Sequence, residues 1–152
     1  MNYTDEERGA LIRTCRKWQR PPAVEKAFHL LTKGDIILDY GCGKYQTLVR
    51  RLRLMGYVAD GCDLSMPWHW PREGLRFASW PFTERTSPGT GYDVVIASNV
   101  LNVQPSHDHL AGVFDELRRL SPRLLIFNYP NSPRKLDITA RKLRELAGYY
   151  LK

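Results

Sequence analysis

Ile36-Ile37-Leu38-Asp39-Tyr40-Gly41-Cys42-Gly43-Lys44-Tyr45 is the stretch on which the fold reading turns. Ile36-Ile37-Leu38 is a short continuous apolar run, the pattern of a strand buried on both faces of a parallel sheet. Gly41 and Gly43 follow at once, where the chain must turn tightly and let a ligand approach the backbone without a Cβ in the way. Leu48, Val49, Leu52 and Met55 then fall at helical spacing and predict a helix ending at Gly56. Strand, Gly-x-Gly turn and helix in that order form the context a nucleotide-type site requires.

Outward from this unit the chain alternates helices and strands, which predicts an α/β fold on a parallel sheet. Thr4-Asp5-Glu6-Glu7 reads as a capping box opening a first helix, with Leu11, Ile12, Cys15 and Trp18 as its stripe and Pro21-Pro22 as its end. A second helix is expected with Val24, Ala27, Phe28 and Leu31 on one face, stopped at Lys33-Gly34. Tyr57–Cys62, the weaker Phe77-Ala78, Asp93–Ala97 and Arg123–Phe127 read as strands two to five. Between the last two, Ser106 is placed to cap a helix whose core face is Leu110, Val113, Phe114, Leu117 and Leu120. A last helix opens at Asp137 or Thr139, with Leu143, Leu146 and Tyr150 facing inward. Right-handed crossovers with one reversal arrange five strands in the order 3-2-1-4-5 and put the ligand crevice at the carboxyl ends of strands 1 and 4.

The 152 residues fit one domain, divided into N-terminal helices (1–33), a ligand-binding core (34–130) and a basic C-terminal helix (131–152). A 43% hydrophobic and 26% charged composition is that of a folded globular chain. No apolar run approaches the roughly 20 residues a membrane helix needs, and the acidic start MNYTDEERGA is unlike a signal peptide. Cys15, Cys42 and Cys62 are too few and too scattered for a disulfide framework or a metal site, so a reducing cytoplasm is expected and a metal is not. The +7 charge resides in residues 118–152, where nine Lys/Arg face only Asp137 and Glu145. Such an end either meets nucleic-acid phosphates or is a solvated helix face.

Position 46 is Gln, so the third glycine of a dinucleotide-binding turn is missing, and no Gly-Lys-Ser/Thr phosphate loop occurs. These absences weigh against a nicotinamide- or flavin-dependent oxidoreductase. Asp63 lies 22 residues past Gly41 at the end of strand 2, where a carboxylate accepts hydrogen bonds from a ribose diol or merely caps a turn.

Together, ILDYGCG at 37–43, Asp63 and YDVVIASNVLNV at 92–103 resemble the class I, Rossmann-like S-adenosyl-L-methionine (AdoMet)-dependent methyltransferases. The likeness spans roughly residues 34–130 and is to small prokaryotic and phage-type members with an LDYG-x-G-K turn and an SNVLNV segment. It implies a three-layer sandwich and an AdoMet site yielding S-adenosyl-L-homocysteine (AdoHcy). Asp39, Gly41, Cys42 and Gly43 would surround the amino-acid end of AdoMet, with Lys44 and Tyr45 beside them. Asp63 would hold the ribose and Leu64 would pack on the adenine. Ser79 or Trp80 would stand near the adenine amine, where the family often has Asp. Asn99 and Val100 would line the sulfonium end.

The resemblance leaves the methyl acceptor open between nucleic acid and a small molecule, since one fold hosts many chemistries. Asn99, His107 and Tyr129 are the catalytic candidates, with Asn102 and His109 behind them; each histidine is equally a surface or capping residue. Asn128-Tyr129-Pro130-Asn131 is similar to the Asn/Asp-Pro-Pro-Tyr/Phe box of amino-group DNA methyltransferases, but it lacks the second proline and follows strand 5 rather than strand 4. Residues 65–82, with three Trp and three Pro, form either a base-stacking loop or a stiff cover over the sheet edge. Too few residues follow strand 5 to build the family's C-terminal edge hairpin. A minimal domain, a truncated gene or an edge completed by a partner chain would each account for this; an exposed edge invites pairing, so the expectation leans to a homodimer. The alternative to an enzyme is a silent AdoMet-binding module or a subunit of a larger complex.

Overall fold

A computed structural model describes residues 22–43, 46–63, 77–79 and 91–129, together with residues 4, 6, 136 and 141. The expected first and last helices and most of the aromatic stretch 65–82 lie outside the described residues.

The strands are β1 (Ile36–Tyr40), β2 (Val58–Asp63), β3 (Phe77–Ser79), β4 (Val94–Ala97) and β5 (Leu124–Phe127). The body of the fold is a parallel sheet in which four of them run β2-β1-β4-β5. β1 is its centre: Ile36↔Val58 through Tyr40↔Cys62 register it to β2, and Ile37↔Val94 through Asp39↔Ile96 to β4. The short β3 pairs its backbone parallel to β2 from Gly61↔Phe77 to Asp63↔Ser79.

The period of two along each strand sorts side chains to opposite faces. Ile37, Val94 and Ile96 join one cluster with Val24, Ala59 and Ile126, covered by helix α1 (Thr47–Leu54) through Leu48, Val49 and Leu52. Leu38, Tyr40, Val95 and Ala97 join the other with Leu101 and Leu125, covered by helix α2 (His107–Leu120) through Leu110, Val113, Phe114, Leu117 and Leu120. A helix therefore closes each face, and for this reason β1 and β4 are apolar at nearly every position rather than alternating. Emptying one of these sites, as in Leu117→Ala, costs roughly 2–5 kcal/mol.

Both helix ends of α2 are built from serine. Ser106 accepts the His109 N–H at 3.2 Å as N-cap. Ser121 ends the helix in the left-handed conformation at φ 49°, where glycine is the easier residue.

Two sequence expectations are corrected. The segment from Val24 to Leu31 is not one helix but a single α-turn, Pro22–Glu25, followed by a 3-10 turn, Phe28–Leu30. His29 Nδ1 lies 2.7 Å from the Lys26 carbonyl, the acceptor an α-helix would offer to the Leu30 N–H, and Leu30 bonds to Ala27 O instead. α1 ends at its C-cap Met55 with Gly56 just beyond at φ +94°, as expected, but Met55 is about half exposed and does not belong to the core face. The remaining face carries the burial.

The amino end of the sheet is held by two aspartates. Asp93 accepts the Ile36 N–H on its carboxylate at 2.8 Å, donates its own N–H to Ile36 O, and offers its carbonyl to the Arg123 N–H, joining β1, β4 and β5. Asp35 accepts from the Thr32 N–H at 2.6 Å and from the Arg123 guanidinium. No helix among the described residues is long and apolar enough to cross a membrane.

Candidate functional site

At the carboxyl end of the same sheet the chain leaves β1 through Gly41-Cys42-Gly43. The Gly41 and Cys42 N–H groups both donate to Cys62 O, at 2.8 and 3.0 Å, which pins the turn to the end of β2. Gly41 and Gly43 adopt φ +80° and +68°, the left-handed region a side chain rarely enters. A Cβ at Gly41 would also overlap Val100 Cγ2, so the turn and the segment after β4 pack without room for one methyl group.

Asp63, at the end of β2, accepts the Gly43 N–H on Oδ2 at 2.7 Å. Its first visible task is thus to lock the glycine turn, with further acceptor capacity inherent in a carboxylate. Gly61 matters for a related reason: a Cβ there would sit 2.7 Å from Cys42 Sγ and 3.0 Å from Val49 Cγ2. The sequence carried a signal for this, since glycine inside a strand often marks close approach of another segment.

Asp39 is the most unusual residue at this end. Three aspartates of the described structure are buried: Asp35, Asp39 and Asp60. Asp35 has Thr32 and Arg123; Asp60 accepts from Tyr92 Oη at 2.8 Å and lies 3.6 Å from the Arg53 guanidinium. Asp39, 3% exposed, meets neither a cation nor a hydrogen-bond donor on its carboxylate among the described residues. Burial, and then the negative charge of Asp63, push its pKa up to about 8. A buried carboxyl group without a partner is costly and uncommon in structural roles. Placed at the strand end, it has the character of a binding group.

Beyond β4, Asn99 takes the left-handed conformation at φ 57°. Its backbone N–H donates to Asn128 Oδ1 at 2.6 Å, and Asn128 Nδ2 donates to Asn99 Oδ1 at 2.7 Å. Gln104 Nε2 donates to Val100 O at 2.8 Å and holds the next residue. The partnership of Asn128 had no sequence signal, because a lone Asn after a strand reads as any turn. Ser98 Oγ, between β4 and Asn99, is buried with no partner among the described residues.

The structure thus brings Asp39, Gly41, Cys42, Gly43, Asp63, Asn99 and Val100 to one end of the sheet, with Ser79 in register beside Asp63. Lys44, Tyr45, Leu64 and Trp80 lie outside the described residues. The remaining candidates differ in exposure and partners. His107 is exposed in the first turn of α2, and no contact among the described residues joins it to Asp39, Asp63 or Asn99. His109 Nδ1 lies 2.6 Å from its own capping serine, Ser106. Asn102 is fully buried. The Tyr129 hydroxyl donates to Leu136 O at 2.9 Å, tying β5 to the chain beyond it.

Of the basic C-terminal third, three described arginines are paired with a carboxylate: Arg118 with Asp115, Arg119 with Glu116 at 2.9 Å, and Arg123 with Asp35. Among the described residues no cluster of three His, Cys, Asp or Glu is arranged to hold a metal ion. No family model matches the chain, and no curated protein matches it.

Proposed function

We propose that the carboxyl-end crevice binds AdoMet and that the chain is a methyltransferase acting on a nucleic acid or a small molecule. The fold in this reading is the Rossmann-like one, a five-stranded sheet in the order β3-β2-β1-β4-β5; the backbone pairing of β3 with β2 supports the fifth place.

One observation carries the proposal: a buried carboxyl group, Asp39, without a partner among the described residues, next to the charge of Asp63 and two residues before the glycine turn. AdoMet carries an ammonium and a sulfonium, so two carboxylates suit its charge, and its ribose diol suits a strand-end acid. The residues present fit the cofactor. Asp39 would accept from the ammonium, and Asp63 would take the ribose hydroxyls while keeping the Gly43 N–H. Gly41 and Gly43 would let the backbone approach closely. When bound, AdoMet supplies a methyl group made electrophilic by its sulfonium.

The chain's own share is alignment. Val100 closes the turn against Gly41, and Asn99 orients an acceptor by hydrogen bonding. Alignment alone can lower a barrier by several kcal/mol. Among the described residues the Tyr129 hydroxyl is engaged with Leu136 O, and this reading assigns the two carboxyl groups at this end, Asp39 and Asp63, to the cofactor. That arrangement suits an acceptor atom already bearing a lone pair. It also favours the second reading, an AdoMet-binding module or subunit without transfer of its own.

Titration calorimetry with AdoMet and AdoHcy tests the proposal. Binding of both, weakened by roughly 1–3 kcal/mol in Asp63→Ala, is expected. A folded protein that binds neither contradicts it. Labelled methyl transfer to DNA, RNA and small-molecule pools then separates enzyme from module.

A further inference from the structure

Non-glycine residues avoid the left-handed region unless their surroundings hold them there, and such residues concentrate at functional sites. Among the described residues there are three: Gln46, Asn99 and Ser121. Ser121 ends a helix, and Gln46 opens one just after the glycine turn. Asn99 belongs to neither kind of end; it sits in the turn between β4 and a 3-10 turn, Leu101–Val103.

What holds Asn99 is a reciprocal pair with Asn128 across the carboxyl ends of β4 and β5. The chemistry fixes both amide orientations. A backbone N–H can only donate, so the Asn128 atom facing the Asn99 N–H must be the oxygen. The Asn128 nitrogen then faces the Asn99 side chain, which must answer with its oxygen. The next residue, Val100, is the one whose Cγ2 fills the space above Gly41. A chain of contacts therefore runs from Asn128 through Asn99 and Val100 to the glycine turn.

We infer that Asn128 is a positioning residue: by clamping Asn99 in its left-handed turn it seats Val100 against Gly41 and sets the ligand affinity of the crevice. This rests on the reading of the crevice as an AdoMet site. Asn128 itself touches no reacting atom. It replaces, with two hydrogen bonds, the glycine that an unassisted left-handed turn would require. The clamp also consumes the Asn99 carbonyl oxygen and leaves its amide nitrogen as a donor on the acceptor side of the site.

The test is a double-mutant cycle on AdoHcy affinity, read by calorimetry, with thermal melts on every variant. Asn128→Ala should weaken AdoHcy about tenfold or more, because Asn99 loses its clamp and the turn relaxes. Asn99→Gly adopts positive φ unaided, so in that background Asn128→Ala should change affinity by less than about twofold. Asn128→Asp keeps an acceptor for the Asn99 N–H, and the Asn99 amide can rotate to donate to it. That variant should bind within about threefold of the wild type, and it carries the test if Asn128→Ala does not fold.

Wild-type affinity in Asn128→Ala, or equal losses in both backgrounds, would overturn the inference while leaving the AdoMet site intact. So would an Asn128→Asp loss as large as that expected for alanine. Wild-type protein that binds no AdoHcy would remove the AdoMet reading, and the inference with it.

Discussion

Two aspartates four residues apart, Asp35 and Asp39, sit at opposite ends of the same central strand and live in opposite electrostatic worlds. At the amino end, burial works to raise Asp35. The Arg123 hydrogen bond, the Thr32 N–H and the guanidinium charge outweigh it and hold its pKa below the usual 3.8. At the carboxyl end, burial is unopposed at Asp39, Asp63 adds to it, and the pKa rises to about 8. One end is satisfied by the protein itself. At the other, Asp39 has no cation or hydrogen-bond donor on its carboxyl group among the described residues. The difference is what the proposed site rests on: the described contacts at the amino end are architectural, and the carboxyl end, where ligands of open parallel sheets bind, keeps the unmatched carboxyl group.

The comparison can be attacked at its strongest point with Gly41→Val. The new side chain would meet Val100 and force φ +80° on a β-branched residue, so AdoHcy binding should vanish. Circular dichroism must show that the fold survives; intact binding would mean that this end is not the site.

The next test uses pH. Folded Asp39 holds its proton more tightly than the unfolded chain does. Raising pH from about 4 to about 8 therefore lowers stability, and the loss levels off above 8. Asp39→Asn should remove that slope and raise the stability of the ligand-free protein at pH 8 by a few kcal/mol. The upper limit for a carboxyl moved from 3.8 to about 8 is about 6 kcal/mol. Asp35 behaves in the opposite sense: its contribution is present above the ordinary carboxylate range and is lost as pH falls through its lowered value. Asp35→Ala should accordingly lower Tm by roughly 2–6 °C at pH 7. Denaturant melts of the two variants across pH 3–9 would show two slopes of opposite sign if the contrast is real, and parallel curves if it is not.

The smallest effect belongs to architecture alone. Ser121→Gly relieves the left-handed C-cap of α2 at φ 49°, and should stabilise by about 0.5–1 kcal/mol without touching ligand affinity.

The fold was largely legible because its signals are local. The apolar run of β1, the three-and-four spacing of α2 and the Ser106 cap each state their element within a few residues. The break between Val24 and Leu31 was not legible, because a helical spacing of apolar residues says nothing of His29 competing for the Lys26 carbonyl. In the site, Gly41, Gly43 and Asp63 stand out in sequence because turn geometry and strand ends restrict residue type. That Asp39 is buried without a partner among the described residues is a non-local fact, and so is the pairing of Asn99 with Asn128, 29 residues away. His107 is exposed in the first turn of α2, which its sequence position after β4 did not reveal.

The most direct measurement is calorimetric titration of the wild-type protein with AdoMet at pH 7, in two buffers of different ionisation enthalpy. Below its pKa of about 8 Asp39 is largely protonated, and an ammonium placed against it would ionise it. The account predicts binding accompanied by release of close to one proton, lost in Asp39→Asn, with affinity rising as pH approaches 8. A folded protein that takes up no AdoMet, or takes it up with no proton exchanged, would contradict the claim that the unsatisfied end of this sheet is its binding site.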